Sequence, residues 1–394
     1  MGFFGETKTN EELILVFDIR SSSVGAAFFY TDKNQKSRII MSVSEPIPAE
    51  DKGDIDRFLF LTMKALEVVV GRIIVKGLGA PDKIFCVLSL PWYISESRVV
   101  SLKKDTPFLF TPKVADSLIE QEVALVKEKY LKMYTDIGDS LRSIELKNVK
   151  ITMNGYEVSN PINKHAKEVE MNLFISLSAE KICKKIEETI ATHFSSRQIK
   201  FSPFSMAAFS VVRDIFSDFL VINIGGEITD ISMVKGSTLR ESISFPIGTN
   251  SMTRGVASSM KCTLDEARSF VSIFKDSHAS PSLIATLEPI MKKLKAEWLV
   301  KFQESLANIS NDISVPALLY ITIDSDLEEL FRELITTEQF NQYTLTESKF
   351  QLVFLNIETL RNFIVFERDV PFNSYLVIDA IYINHFLTNP KTYA

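Results

Sequence analysis

The chain has 394 residues, a formal net charge of −6 and a pI near 5.5; 46% of its residues are hydrophobic and 24% charged. At roughly 150 residues per domain this is material for two to three domains with a sizeable core, and the ordinary composition excludes disordered, collagen-like and coiled-coil classes. An acidic balance without an extended Lys/Arg block argues against nucleic acid as the main partner. Cys86, Cys183 and Cys262 lie far apart, a spacing that suggests neither a disulfide framework nor a zinc site and fits a reducing cytoplasm. No stretch reaches the ~18 apolar residues of a membrane-spanning helix; the best, Ala65–Val75, carries Glu67 and Arg72. Met1–Glu12 lacks a signal pattern, and Glu6 stands where a myristoylation start needs Ser or Thr.

In chain order, Leu13–Ile19 reads as a buried strand, Arg20-Ser21-Ser22-Ser23 as a tight polar turn, Val24–Tyr30 as the returning strand and Lys36–Val43 as a third. Ile55–Ile74 has helical apolar spacing, and Ile84–Leu90 is a strand. Next come a helix at Lys113–Tyr134, a strand at Ile144–Met153, a hairpin turn at Asn154-Gly155 and a strand at Val169–Leu177. Lys181–Phe194 is a helix with Ile182, Ile186 and Ile190 on one face. The opening pattern then returns: strand Phe219–Ile224, turn Gly225-Gly226-Glu227, strands Ile228–Lys235 and Leu239–Phe245, helices from Met252 through a stretch at Asp265–Leu306, and strand Ala317–Ile323. Ser374–Phe386 packs back as a strand or helix.

Two copies of strand-strand-strand-helix-strand predict a two-lobed mixed α/β molecule whose two first hairpin turns face one cleft, with Asp18 and Asn223 at equivalent strand ends. A phosphate cradle needs backbone N–H groups in a tight Gly- or Ser-bearing turn, and an acidic residue to hold hydrated magnesium. Asp18 with Ser21-Ser22-Ser23 meets part of this in one half, and Gly225-Gly226 with Thr229-Asp230 meets part of it in the other. His165, His193, His278 and His385 have no ligand spacing, and Trp92 and Trp298 read as core residues.

Val16-Phe17-Asp18-Ile19-Arg20-Ser21-Ser22-Ser23-Val24 and Val221-Ile222-Asn223-Ile224-Gly225-Gly226-Glu227-Ile228-Thr229-Asp230-Ile231 resemble the two phosphate loops of the actin-like ATPase superfamily, in its bacterial FtsA and PilM branch. Ser244-Phe245-Pro246-Ile247-Gly248-Thr249-Asn250, then Thr253, resembles the segment entering the next helix, and Asn154 through Leu177 the subdomain that FtsA inserts. The resemblance runs from about residue 12 to about 386. It implies an α/β, two-lobed actin-like (ribonuclease-H-like, duplicated) fold with an FtsA-type inserted subdomain. The implied boundaries are a first lobe at 12–91 and 195–217, an insert at 92–194, a second lobe at 218–262 and 314–394, and a helical subdomain of that lobe at 263–313. It implies ATP and magnesium as the cofactors, Asp18, Ser21, Ser22, Asn223, Gly225, Gly226 and Thr229 as the residues that bind them, and Asp18 as the metal residue.

The departures point the other way. Arg20 stands where the family has Gly, Asn223 where it has Asp, Glu227 where it has a third Gly, and Ser202 where a longer residue orients the attacking water. The Gly-rich adenine-side turn reads Asp324-Ser325-Asp326-Leu327, and the acid-base pair near Glu266 and Ala267 is incomplete. A carboxylate about 5 Å from one phosphate charge costs roughly 3 kcal/mol at an effective dielectric near 20. The resemblance with these changes implies a scaffold of bacterial cell division or type IV pilus assembly that binds protein partners, with weak or no ATP binding and no catalytic residues. The alternative is an active, polymerising FtsA-like ATPase. Self-association, a cytoplasmic location and membrane contact only through a partner belong to the first reading. In FtsA a linker and an amphipathic membrane helix follow at the C-terminal end, where this sequence reads Lys391-Thr392-Tyr393-Ala394, so the expectation is that membrane contact comes through a partner; Phe3 and Phe4 offer apolar groups ahead of a charged spacer. Arg20 and Glu227 carry opposite charges. Either they form an ion pair that clamps the lobes in place of phosphate, or both face solvent.

Overall fold

The computed structural model describes residues 11–31, 36–50, 54–133, 140–194, 198–213, 215–275, 278, 280–309, 314–337, 340, 343–344 and 349–388. Phe3, Phe4 and the tail from 389 lie outside the described residues. Two duplicated lobes carry one sheet each, and an inserted subdomain carries a third.

The first lobe runs β1 (Glu12–Ile19), β2 (Ser23–Thr31), β3 (Ser37–Pro46), α1 (Ile55–Lys76) and β4 (Lys83–Leu88). Every residue of β1 from Leu13 on is buried, because its sheet is covered on both faces. Asp54 caps α1, accepting from the N–H groups of Asp56 and Arg57, and Gly77 ends it in a left-handed conformation at φ 62°. The insert follows as β5 (Ile94–Phe110), α2 (Pro112–Met133), β6 (Leu141–Met153), β7 (Tyr156–Glu157) and β8 (Lys164–Ala179). Asn154 and Gly155, both at positive φ, make the expected hairpin turn. The long strand β5 is absent from the sequence reading: its register breaks between Lys103 and Phe108, where Lys103 through Pro107 interrupts the apolar alternation. Then α3 (Glu180–Ala191), β9 (Ile199–Pro203) and α4 (Phe204–Val212) return to the first lobe.

The second lobe repeats the plan with β10 (Phe219–Ile224), β11 (Thr229–Lys235), β12 (Thr238–Phe245), α5 (Thr249–Met260), α6 (Leu264–Lys275), α7 (Pro281–Ile309), β13 (Leu318–Thr322), α8 (Glu328–Thr337) and β14 (Gln351–Phe354). Asp18 pairs with Gly25 and Val87, and Asn223 with Asp230 and Thr322, so the two stand at matching places on central strands. Trp298 sits in the core of this lobe, stacked on Phe302.

Two expected boundaries move. After α9 (Ile357–Leu360), β15 (Ile364–Phe366) pairs with Ser37–Ile39 of β3, and α10 (Ser374–Thr388) packs against β1, β2, β3 and α4. Residues 364–388 therefore build the first lobe, not the second. The reason is a vacancy: β3 would otherwise be an open edge, and α10, mostly apolar and buried at every position from Ser374 to Ile383, needs cover on all sides. Likewise Cys183, Ile186 and Ile190 of α3 belong to the first-lobe core, so the insert proper ends with β8. All nine residues of α4 are buried. With α10 they form one apolar layer between the sheets, touching Phe219, Val221 and Tyr320 of the second lobe. No helix among the described residues is long and apolar enough to cross a membrane.

Candidate functional site at the meeting of the two turns

The turn between β1 and β2 closes by the Arg20 N–H donating to Ser23 O (3.0 Å), and that between β10 and β11 by the Gly225 N–H donating to Ile228 O (3.0 Å). The two turns face one another, as the duplicated pattern predicts, and they touch. The Glu227 N–H donates to Ser21 Oγ at 3.1 Å. A Cβ on Gly226 would lie 3.0 Å from Ser22 Cβ, and one on Gly225 would lie 3.1 Å from Ser21 Oγ. From behind, the N–H groups of Thr249 and Asn250 donate to Gly225 O (2.9 Å) and Gly226 O (2.8 Å). That approach requires Gly248, whose added Cβ would stand 2.3 Å from Gly225 O.

Arg20 sits at the centre, 4% exposed. Its Nη1 donates to Asp324 Oδ1 of the second lobe at 2.8 Å, its Nε lies 3.1 Å from Asp18 Oδ2, and its Nη2 donates to Ser23 Oγ. The guanidinium lies 3.9 Å from the centre of the Tyr375 ring, and Tyr375 Oη donates to Asn223 Oδ1 at 3.1 Å. One side chain thereby ties β1, the end of β13, the start of α10 and the end of β10 together. Burial works against its charge, but Asp324 and Asp18 hold Arg20 protonated above its ordinary range. Burial also raises the Asp18 carboxyl, opposed by Arg20 and reinforced by Asp324.

The proposed Arg20–Glu227 pair does not form, and neither side chain is left facing solvent alone. Glu227 accepts from Arg254 Nη1 (3.0 Å) and Nη2 (2.5 Å) and from Asn250 Nδ2 (2.8 Å) on its own lobe. Asp18, two residues along, and Asp324 out-compete it for Arg20 in a buried place where a fork of donors needs carboxylates on two sides. Thr229 Oγ1 donates to Ile247 O (2.7 Å) and accepts from Trp298 Nε1 (3.0 Å), and Asn223 is held by Tyr375. The structure thus brings Asp18, Ser21, Ser22, Asn223, Gly225, Gly226 and Thr229 to one place, where Ser21, Asn223, Gly225, Gly226 and Thr229 are hydrogen-bonded to neighbours, while the Asp18 carboxyl oxygens and Ser22 Oγ are buried without a hydrogen bond and Asp18 is paired only with Arg20.

These residues do not fit ATP with magnesium. A phosphate would need its oxygens about 2.7–3.0 Å from donors of both turns, and the turns already share that space. On the adenine side the turn presents Asp324 to Arg20, and Asp326 to Lys275 of α6 at 3.1 Å. At Asp18 the local cation is the Arg20 guanidinium. Ser202 reaches no turn; its Oγ donates to Glu145 Oε2 at 3.0 Å.

Sequence reading missed several contributors. Asp379 lies fully buried in α10, with neither carboxyl oxygen hydrogen-bonded, and burial beside Asp18 pushes its pKa up. One acid within the apolar run Leu376–Ile383 is the signal that marks it. Tyr375, Asn250 and Arg254 gave no such signal.

Duplicated lobes, two opposed hairpin turns and a helix pair between the sheets define the actin-like ATPase fold. Among solved structures, a chain of the PilM–PilN type IV pilus biogenesis complex superposes with a TM-score of 0.62 at 13% identity, over 96% of this chain and 99% of that one. The ethanolamine utilization protein EutJ from Carboxydothermus hydrogenoformans aligns at TM-score 0.40 and 10% identity (95% and 89% covered). A Bacteroides thetaiotaomicron protein with an actin-like ATPase fold and unknown function aligns at 0.39 and 11% (97% and 99%). At these identities the likeness is one of fold. No protein-family model and no curated protein sequence matches the chain.

Three outcomes follow from the geometry. Arg20→Ala leaves Asp18 buried beside an empty space and should cost about 3 kcal/mol or more in urea unfolding. Gly248→Ala must displace backbone at 2.3 Å and should cost about 1–3 kcal/mol in the same measurement. Asp230, buried in β11 with the Ile231 N–H as partial compensation, is raised to about 7. Its folded pKa exceeds the unfolded value near 4, so its contribution to stability is complete below pH 4 and is lost as pH rises through 7. Unfolding midpoints from pH 4 to 8 should fall for the wild type, with Asp230 contributing up to about 1.4 kcal/mol per pH unit, and fall less steeply in Asp230→Asn.

Proposed function

We propose that the chain is an actin-fold scaffold that binds protein partners of type IV pilus assembly or cell division, and that it works without an ATP cycle. The observation that carries this is the direct contact of the two turns, with Arg20 occupying the space between the lobes. An actin fold whose lobes are joined by its own side chains keeps its surface and loses its need for a nucleotide.

The fold's match to a chain solved in a two-protein pilus biogenesis complex favours the pilus setting over the division setting. Recruitment to the inner face of the cell membrane, and self-association, would then run through partners. Asp18, Ser21, Ser22, Asn223, Gly225, Gly226 and Thr229 act in this reading as the lobe junction rather than as a ligand site.

Binding measured by calorimetry and by thermal shift decides it. At millimolar ATP with magnesium the melting temperature should stay unchanged, whereas a ligand present at 100 times its Kd stabilises by about 2.7 kcal/mol. Co-expression with a PilN-type protein should give a complex in size-exclusion chromatography. ATP-dependent stabilisation together with ATP-dependent sedimentation of filaments would instead establish the polymerising ATPase.

A further inference from the structure

The inserted subdomain reaches the layer between the lobes through a buried acid. Glu145 leaves β6 and places Oε2 3.0 Å from Ser202 Oγ and 3.0 Å from Tyr382 Oη, and these two hydroxyls lie 3.2 Å apart. Ser202 stands in β9 one residue before Pro203, which opens α4, and Tyr382 lies within α10. The acid therefore touches α10 directly and, through Ser202, the end of the strand that leads into α4. All three groups are buried.

Two further contacts give the insert purchase on both lobes. Lys147, two residues along β6, directs Nζ to Met206 Sδ of α4 at 3.7 Å. On the other side of the insert, Ser97 Oγ of β5 donates to Leu239 O of β12, in the second lobe, at 3.3 Å. The insert is thus a brace with one foot on the helix pair and one on the second sheet. The insert also carries a groove of about 520 Å³ between α2 and the β6–β7 hairpin. Leu146, the residue beside Glu145, lines that groove and is 44% exposed.

We propose that Glu145 is a positioning residue through which the inserted sheet sets the angle between the two lobes. A carboxylate accepting two hydrogen bonds in a buried place holds its partners at fixed distance, and removal takes away the acceptor that both hydroxyls share. Motion of β6 is then shared by α4 and α10, which bear on both sheets.

The test uses the full chain with Cys262→Ser and spin labels at positions 64 and 293, exposed sites on α1 and α7 in opposite lobes. Pulsed electron spin resonance should give one narrow interlobe distance in this parent. Glu145→Gln, which keeps an acceptor, should preserve it. Glu145→Ala should shift the distance by more than the width of the parent distribution, while hydrogen exchange in β6 and β8 stays slow. Tyr382→Phe, which removes one donor and little volume, should shift it in the same direction by less, and it carries the test if Glu145→Ala does not fold. An unchanged distance in Glu145→Ala, or in Tyr382→Phe where that variant stands alone, overturns the proposal. Equal shifts in Glu145→Gln and Glu145→Ala also overturn it, since packing alone would then account for the effect.

Discussion

The junction of the lobes depends on one guanidinium kept charged inside the protein. Removing a cation from water is costly, and Arg20 is stable there because carboxylates from two different lobes, a serine hydroxyl and an aromatic face surround it. The partners also explain one another. Asp18 and Asp324 would be costly neighbours without Arg20, and Tyr375 could not hold Asn223 unless α10 began where Arg20 stacks. Contact between the two turns is the consequence: once the charge at the junction is internal, nothing separates Ser21 from the Glu227 N–H.

A second layer of constraint comes from α4 and α10. Because α4 links the first sheet to the second and α10 packs across it, the helix pair bears on both lobes at once. Polar groups in this layer are few and mutually dependent. Asp18 and Asp379 share one pocket of low dielectric, and Glu145 is satisfied by two hydroxyls from elements distant in sequence. Burial thus turns sparse polar side chains into the features that fix how the apolar layers align.

The architecture was largely legible from local pattern. Apolar runs bounded by polar turns located both hairpins, and the recurrence of that pattern after residue 218 disclosed the second lobe. Asn154-Gly155 disclosed the insert's hairpin because few residues tolerate two successive positive φ angles. What stayed hidden depended on partners far apart in sequence. The opposite signs of Arg20 and Glu227 suggested a pair, but charge alone does not say which acid is nearer, and Asp324 lies 304 residues from Arg20. The return of β15 and α10 to the first lobe was hidden for the same reason, since a short apolar strand carries no mark of the sheet it joins.

That return has a consequence for how the protein is made. The first sheet needs β15 to cover the edge at β3, and its inner face needs α10, so its core is incomplete until residue 388 has left the ribosome. The second lobe's central strands and α5–α7 lie in one continuous stretch and can pack while synthesis continues. The lobe translated first is therefore the lobe completed last, and its exposed edge at β3 must be kept from pairing with other chains in the interval.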